Sequence, residues 1–158
     1  MVLPDHNLLV YAYNADAPLH DQARKWWEES INSGAGLALS WIVCHGFIRI
    51  MTHLRIMVTP LVPQRAVQHV QAWLALPELQ IIEPGSKHIG ILDRLLAEVG
   101  VGGNLCTDAV IASLAIEYQC ELHSNDTDFA RFSGLRWKNP LSSKVSFLND
   151  PAKGRGVS

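Results

Sequence analysis

The stretch "ELHSNDTDFARF", residues 121–132, breaks from an apolar run into two carboxylates, Asp126 and Asp128, with only Thr127 between them. Two further acids stand at similar breaks: Asp5 follows the opening "MVLP", and Asp108 follows the glycine-rich "GVGGN" by a few residues. Singly, each suits a helix N-cap or the positive end of a helix dipole. Together they ask for more, because capping uses one acid per helix and "DTD" supplies two. Carboxylates brought to one place repel one another unless a cation neutralises them. Hard oxygen donors with no soft partner select Mg²⁺ or Mn²⁺. Such an ion activates water and stabilises charge on a phosphodiester in flight. The chemistry indicated is metal-assisted phosphodiester hydrolysis.

Other motifs fail on their residues. "GVGGN" matches neither the phosphate-binding G-x-x-x-x-G-K-[ST] nor a dinucleotide G-x-G-x-x-G, and no G-x-S-x-G occurs. "DTDFARF" lacks the glycine and final glutamate of a calcium loop. A D-x-D phosphatase with Asp126 as nucleophile needs a lysine that the short remaining chain does not convincingly place. Among three cysteines and seven histidines there is no C-x-x-C or H-E-x-x-H spacing for zinc.

For these acids to meet, distant parts of the chain must converge. The runs "MVL", "LALS", "LQIIEP" and "CELHS" read as short strands. Between them, "NLLVYAY", "ADAPLHDQARKWWEES", "WIVCHGFIRIMTHL", residues 64–76, residues 88–99 and "LCTDAVIASLAIEYQC" read as helices, the last carrying Asp108 in its first turn. Gly46, inside the third of these, costs roughly 1 kcal/mol relative to alanine. Strands alternating with helices predict an α/β fold, a three-layer α/β/α sandwich around a central parallel sheet. In such sheets functional groups gather beyond the carboxyl ends of the strands, where Asp5, Asp126 and Asp128 are placed.

A chain of 158 residues with 48% hydrophobic and 18% charged residues suits one ordinary domain, expected over 1–149. Residues 150–158, rich in Gly, Lys and Arg, are expected to form a flexible C-terminal tail. The first residues lack a basic start and carry Asp5, a poor secretory signal, and no apolar run approaches the ~20 residues of a membrane span. Cys44, Cys106 and Cys120 sit in apolar surroundings and read as reduced, buried thiols of a cytoplasmic protein. Net charge is −2, yet residues 131–158 hold six basic residues against the single acid Asp150, leaving −7 on residues 1–130. A basic end on an acidic body can hold a phosphate backbone near an acidic site, and a solubilising tail explains it equally well.

Four stretches, "DHNLLVYAYN", "FIRIMTH", "GNLCTDAVIASLAIEYQCEL" and "SNDTDFARFSGLRWKNPL", resemble the PIN domain, and specifically the toxin ribonucleases of VapBC-type toxin–antitoxin pairs. The resemblance implies a PIN-like fold and an acidic pocket binding Mg²⁺ or Mn²⁺ through Asp5, Asp108 and Asp126, with Asp128 as accessory acid. It places Asn7 and Ser124 at polar pocket positions and Asn104 beside Asp108. It further implies an RNA substrate (tRNA, rRNA or mRNA), a VapB-like antitoxin partner, and a homodimer or larger toxin–antitoxin assembly. It departs from the family at Gly46, where many such toxins carry glutamate three residues before the arginine matched by Arg49. The alternative is therefore a catalytically impaired PIN-fold module that binds RNA or protein. Arg49, Arg136 and Lys138 are expected as pocket or RNA contacts, with Trp137 as a base-stacking candidate between the last two. His6 reads as a loop histidine, and His45 as pointing away from the pocket. Trp26, Trp27, Trp41 and Trp73 read as core or partner-facing.

Overall fold

The computed structural model describes residues 1–100 and 103–141. The expected tail at 150–158, and the basic residues Lys144, Lys153 and Arg155, lie outside the described residues. In chain order the elements are β1 (Val2–Pro4), α1 (His6–Tyr13), α2 (His20–Asn32), β2 (Leu37–Leu39), α3 (Trp41–Met51), α4 (Pro63–Leu74), β3 (Leu79–Ile81), α5 (His88–Val99), α6 (Asn104–Glu117), β4 (Glu121–His123) and β5 (Trp137–Lys138), with a 3-10 turn over Thr127–Arg131 before β5. Asp108 is thus the fifth residue of α6 and lies just past its first turn, because the helix begins at Asn104.

All strand pairings are parallel, in the order β3-β2-β1-β4-β5. The chain steps outward from β1 through β2 to β3, then returns to place β4 on the other side of β1. Of the helices, α1 packs against α2 and α3, α3 against α4, and α5 against α6. The strand order reverses between β1 and β4, where Leu3 pairs with Leu122 and Pro4 with His123. Asp5 and Asp126 leave the sheet beside this reversal, the place where an open parallel sheet forms a crevice.

The strands are only two or three residues long, so burial comes mainly from helix faces. Leu3, Leu8, Leu9, Leu39, Val43, Phe47, Met51, Trp73, Leu95, Ile111, Leu122 and Phe129 are fully buried in one continuous core. Tyr13 sits among Phe47, Trp27 and Trp73, and its hydroxyl oxygen accepts the indole N–H of Trp73 at 2.8 Å and of Trp27 at 3.3 Å. Trp26 donates to Nδ1 of His123 at 3.0 Å, and Nε2 of that ring contacts Glu121 at 2.7 Å, so α2 is fastened to β4. Of the tryptophans expected as core or partner-facing, Trp26, Trp27 and Trp73 are core residues. Trp41 alone of the four is exposed, at 41%. Cys44 and Cys120 are buried, but Cys106 is exposed because it faces outward from the first turn of α6.

β5 is not signalled by the sequence, since two residues are too few to show alternation. Its pairing with β4 is fixed from outside, by Leu122 N–H on the Arg136 carbonyl and Ser124 N–H on the Lys138 carbonyl. No helix among the described residues is long and apolar enough to cross a membrane.

Candidate active site

Asp5 ends β1 and caps α1. Its backbone N–H donates to the carbonyl of His123 at 2.8 Å, and its Oδ1 accepts the N–H of His6 at 2.7 Å. The side chain is 1% exposed, and a buried carboxylate must be hydrogen-bonded to keep its charge. Its other oxygen, Oδ2, accepts the hydroxyl of Ser124 at 2.8 Å. Ser124 is wholly buried and its Oγ in turn accepts the N–H of Asp126 at 3.0 Å. One hydroxyl therefore ties together the loops that leave β1 and β4. Trp137 secures the same point from β5, its indole N–H donating to the Ser124 carbonyl at 3.1 Å.

Asp126 caps the 3-10 turn, its Oδ1 accepting the N–H of Asp128 at 2.9 Å. That bond turns Asp128 back toward Asp126. Across from them α6 supplies Asp108, and ligand oxygens of Asp108, Asp126 and Asp128 all lie within 4.8 Å of one another. All three acids are half-buried. The Asp108 carboxyl is pushed up from its usual 3.8 to about 6, by burial first and then by the negative charges of Asp126, Asp5 and Asp128, with His6 acting in the opposite direction. The acids thus sense one another across three separate stretches of chain.

Asp108, Asp126 and Asp128 line a cavity of about 860 Å³, together with His6, Asn7 and Thr107 and with Ile42, His45, Gly46 and Arg49 from α3. The placement of the acids differs from the expected one. Asp5 stands outside the tight group, set back with both oxygens engaged, whereas Asp128 belongs to it. Asn7 and Arg49 reach the cavity, and Ser124 acts from beneath through Asp5 and Asp126. Asp128 also lies 3.6 Å from Arg131, an exposed pair of the 3-10 turn.

Arg136, Lys138 and Trp137 do not line this cavity. Arg136 precedes β5 and donates to the Gln119 carbonyl ahead of β4, at the amino ends of the strands. Lys138 borders a separate hollow of about 210 Å³ with Lys25, Trp26, Glu29 and His123. Trp137 holds Ser124 through its N–H, so its ring is a structural pin.

Three polar cavity residues, His6, His45 and Thr107, are not among the expected site residues. His6 lies in the cavity wall with its side chain 13% exposed, and its Nδ1 is 2.8 Å from Asp5 Oδ1. The close approach is not aligned as a hydrogen bond, and it reads as an ion-pair contact. Burial disfavours the charged ring, but contact with Asp5 and its charge outweigh this and raise the His6 pKa, Arg49 opposing and Asp108 assisting. The sequence signal was the position of His6, the first residue of a helix that opens at the sheet's reversal. His45 reaches the cavity because residues 42, 45, 46 and 49 share one helical face. Thr107 comes one residue before Asp108 and carries no sequence mark of its own. The side chain of Asn104 lies outside what is described.

A parallel sheet whose acid-bearing loops converge at the strand reversal defines an α/β/α fold with an acidic pocket at its switch point. The PIN domain family model matches residues 2–135, and the chain belongs to that family. Ribonuclease VapC33 of Mycobacterium tuberculosis is 39% identical over 141 residues, which cover 89% of this chain and 99% of that relative. Ribonuclease VapC43 of the same species is 38% identical over 145 residues, 92% of this chain and 99% of the relative. Among solved structures, VapBC2 of Rickettsia felis bound to a promoter DNA fragment aligns with a TM-score of 0.64 at 23% identity, over 88% of this chain and 98% of that one. M. tuberculosis VapC20, a sarcin-ricin loop cleaving toxin, aligns with a TM-score of 0.65 at 13% identity, over 86% of this chain and 98% of that one. These two likenesses show the shared fold.

Proposed function

We propose that this chain is the ribonuclease toxin of a VapBC-type toxin–antitoxin pair, hydrolysing RNA phosphodiester bonds with the help of Mg²⁺ or Mn²⁺. The observation that carries the reading is the convergence of Asp108, Asp126 and Asp128 within 4.8 Å, with buried Asp5 tied to them through Ser124. The ribonuclease names of relatives at 38–39% identity point the same way.

The donor set fits a hard divalent ion. It offers carboxylate oxygens only, in a half-buried cavity where burial first, and the neighbouring acids second, raise Asp108. When bound, the ion supplies Lewis-acid activation of water and stabilises charge on the phosphate. The remaining work belongs to the chain. Asp108, Asp126 and Asp128 would hold the ion, and Asp5 adds a fourth negative charge from beneath. Ser124 keeps the β1 and β4 loops in register, and Arg49, lining the same cavity, supplies a cation for an RNA phosphate. A VapB-like antitoxin as partner follows from the VapBC neighbour. The binding-only alternative rests on Gly46, and Asp108, Asp126 and Asp128 converge without a carboxylate there.

The test is cleavage in cells, with RNA ends sequenced after expression of the wild type and of Asp5→Asn. Discrete new ends with the wild type, absent with the folded variant, are expected. Equal cleavage by a purified Asp5→Asn preparation defeats the proposal.

A further inference from the structure

Gly46 lies in the interior of α3 and is buried. Its backbone is helical, so nothing about its own conformation calls for glycine, and in a helix interior glycine is less stable than alanine. The space around it supplies the reason. A Cβ at position 46 would lie 3.2 Å from Cγ of His6, 3.4 Å from its Cβ and 3.5 Å from its Nδ1. A side chain at 46 would press on the imidazole, which would have to give way by a few tenths of an ångström.

On its other side the same ring faces Asp5, with Nδ1 2.8 Å from Oδ1. It is therefore wedged between the α3 backbone and the carboxylate at the end of β1. Asp5 is gripped by the His6 N–H and ring on one oxygen and by Ser124 on the other. Packing of this density transmits small displacements, so a ring pushed by a few tenths of an ångström moves what it touches.

We propose that His6 and Gly46 form one interlocked unit in which His6 is the positioning residue for Asp5 and Gly46 is the seat that admits its ring. The unit explains why position 46 carries no side chain: a group there would dislodge the histidine that aims the buried acid. The proposal rests on the nuclease reading for its consequence in catalysis, and on the packing alone for its consequence in geometry.

The test compares wild type, Gly46→Ala, His6→Ala, the His6→Ala/Gly46→Ala double variant, and His6→Asn in the Gly46→Ala background. Asparagine keeps a polar nitrogen near the place of Nδ1 but lacks the ring that meets Cβ. Three readouts are taken: the Asp5 side-chain carboxyl ¹³C resonance of the metal-free protein, the Mn²⁺ dissociation constant by calorimetry, and RNA cleavage. Gly46→Ala and His6→Ala are each expected to shift the Asp5 resonance and weaken Mn²⁺ binding roughly tenfold, the lower end for loss of a contact that supports the ligand acids from behind. The double variant should be no worse than His6→Ala alone, because the two changes remove the same arrangement. His6→Asn in the Gly46→Ala background should recover resonance and affinity toward wild type. An unmoved Asp5 resonance in Gly46→Ala, or penalties that multiply in the double variant, overturns the proposal. A lowered melting temperature with unchanged resonance and Mn²⁺ affinity in His6→Ala does so too, since the ring would then only pack. If the resonances couple as expected while the wild type neither binds Mn²⁺ nor cuts RNA, the interlock stands and the nuclease reading falls.

Discussion

Asp108→Asn should stabilise the metal-free protein and at the same time abolish its response to metal. The raised pKa of Asp108 means that the folded state resists ionising this carboxyl. Its usual value is 3.8 and its folded value about 6, so the penalty is fully present above pH 6, fades as the pH falls through that value, and is gone below 3.8. Two units at ~1.36 kcal/mol each set a ceiling near 3 kcal/mol. The group is half-exposed, and solvent screening brings the expected effect to about 1 kcal/mol. For a domain of this size that is ~2–4 °C in melting temperature. Melts in EDTA should therefore show Asp108→Asn above wild type by that margin at pH 7.5, with the gain shrinking below pH 6 and vanishing near pH 4. Added salt should reduce the gain, as it screens the neighbouring acids. With excess Mn²⁺ the order should reverse, because binding to the folded state stabilises only a chain that keeps its ligands. Were Asp108→Asn neutral or destabilising in EDTA at pH 7.5, neither burial nor the neighbouring acids would be opposing the Asp108 charge, and the reasoning from cluster to cation would fail.

Ser124→Ala removes the buried hydroxyl that joins Asp126 N–H to Asp5 Oδ2. It should cost about 1–3 kcal/mol in urea unfolding and at least roughly tenfold in Mn²⁺ affinity. Unchanged calorimetric affinity would show that the two loops keep their register without it. Tyr13→Phe leaves the indole N–H groups of Trp27 and Trp73 without their acceptor. A loss of about 2 kcal/mol is expected in urea, with Mn²⁺ binding intact because the site lies elsewhere; a loss of metal binding would argue against that independence.

The fold was largely legible because its helices announce themselves. α4 and α5 carry apolar residues at helical period, α6 is a long run that is apolar nearly all round, and α5 begins and ends at the expected His88 and Val99. The four strands that could be read were short apolar runs set between helices. β5 escaped, since its two residues are defined by hydrogen bonds to β4 and not by their own pattern. At the site, acids could be found by their placement after strands, but side-chain direction could not. Lys138 and Arg136 flank Trp137 in sequence, yet one borders the second hollow and the other bonds back to Gln119. His6 was passed over because one histidine among seven has no chemistry until its neighbours are known. The same holds for Gly46, whose meaning depends on a ring forty residues away.

The helix-capping and metal-site readings of these acids were set against each other, and the geometry joins them. Asp5 caps α1 and Asp126 caps the 3-10 turn, so each has one oxygen satisfied by a backbone N–H at a positively polarised end. Capping fixes where those carboxylates sit and partly offsets the cost of holding them close. It leaves their other oxygens for different work: Asp5 gives its second to Ser124, and the tie from Ser124 to Asp126 keeps the two caps in register. Asp108, in the second turn of α6, stands outside any capping position and meets the negative group from the facing helix. It is there that the cost surfaces, as a carboxyl pushed up to about 6. Local caps thus build the two fixed sides of the pocket, and the acid that no cap explains is the one whose charge asks for a cation.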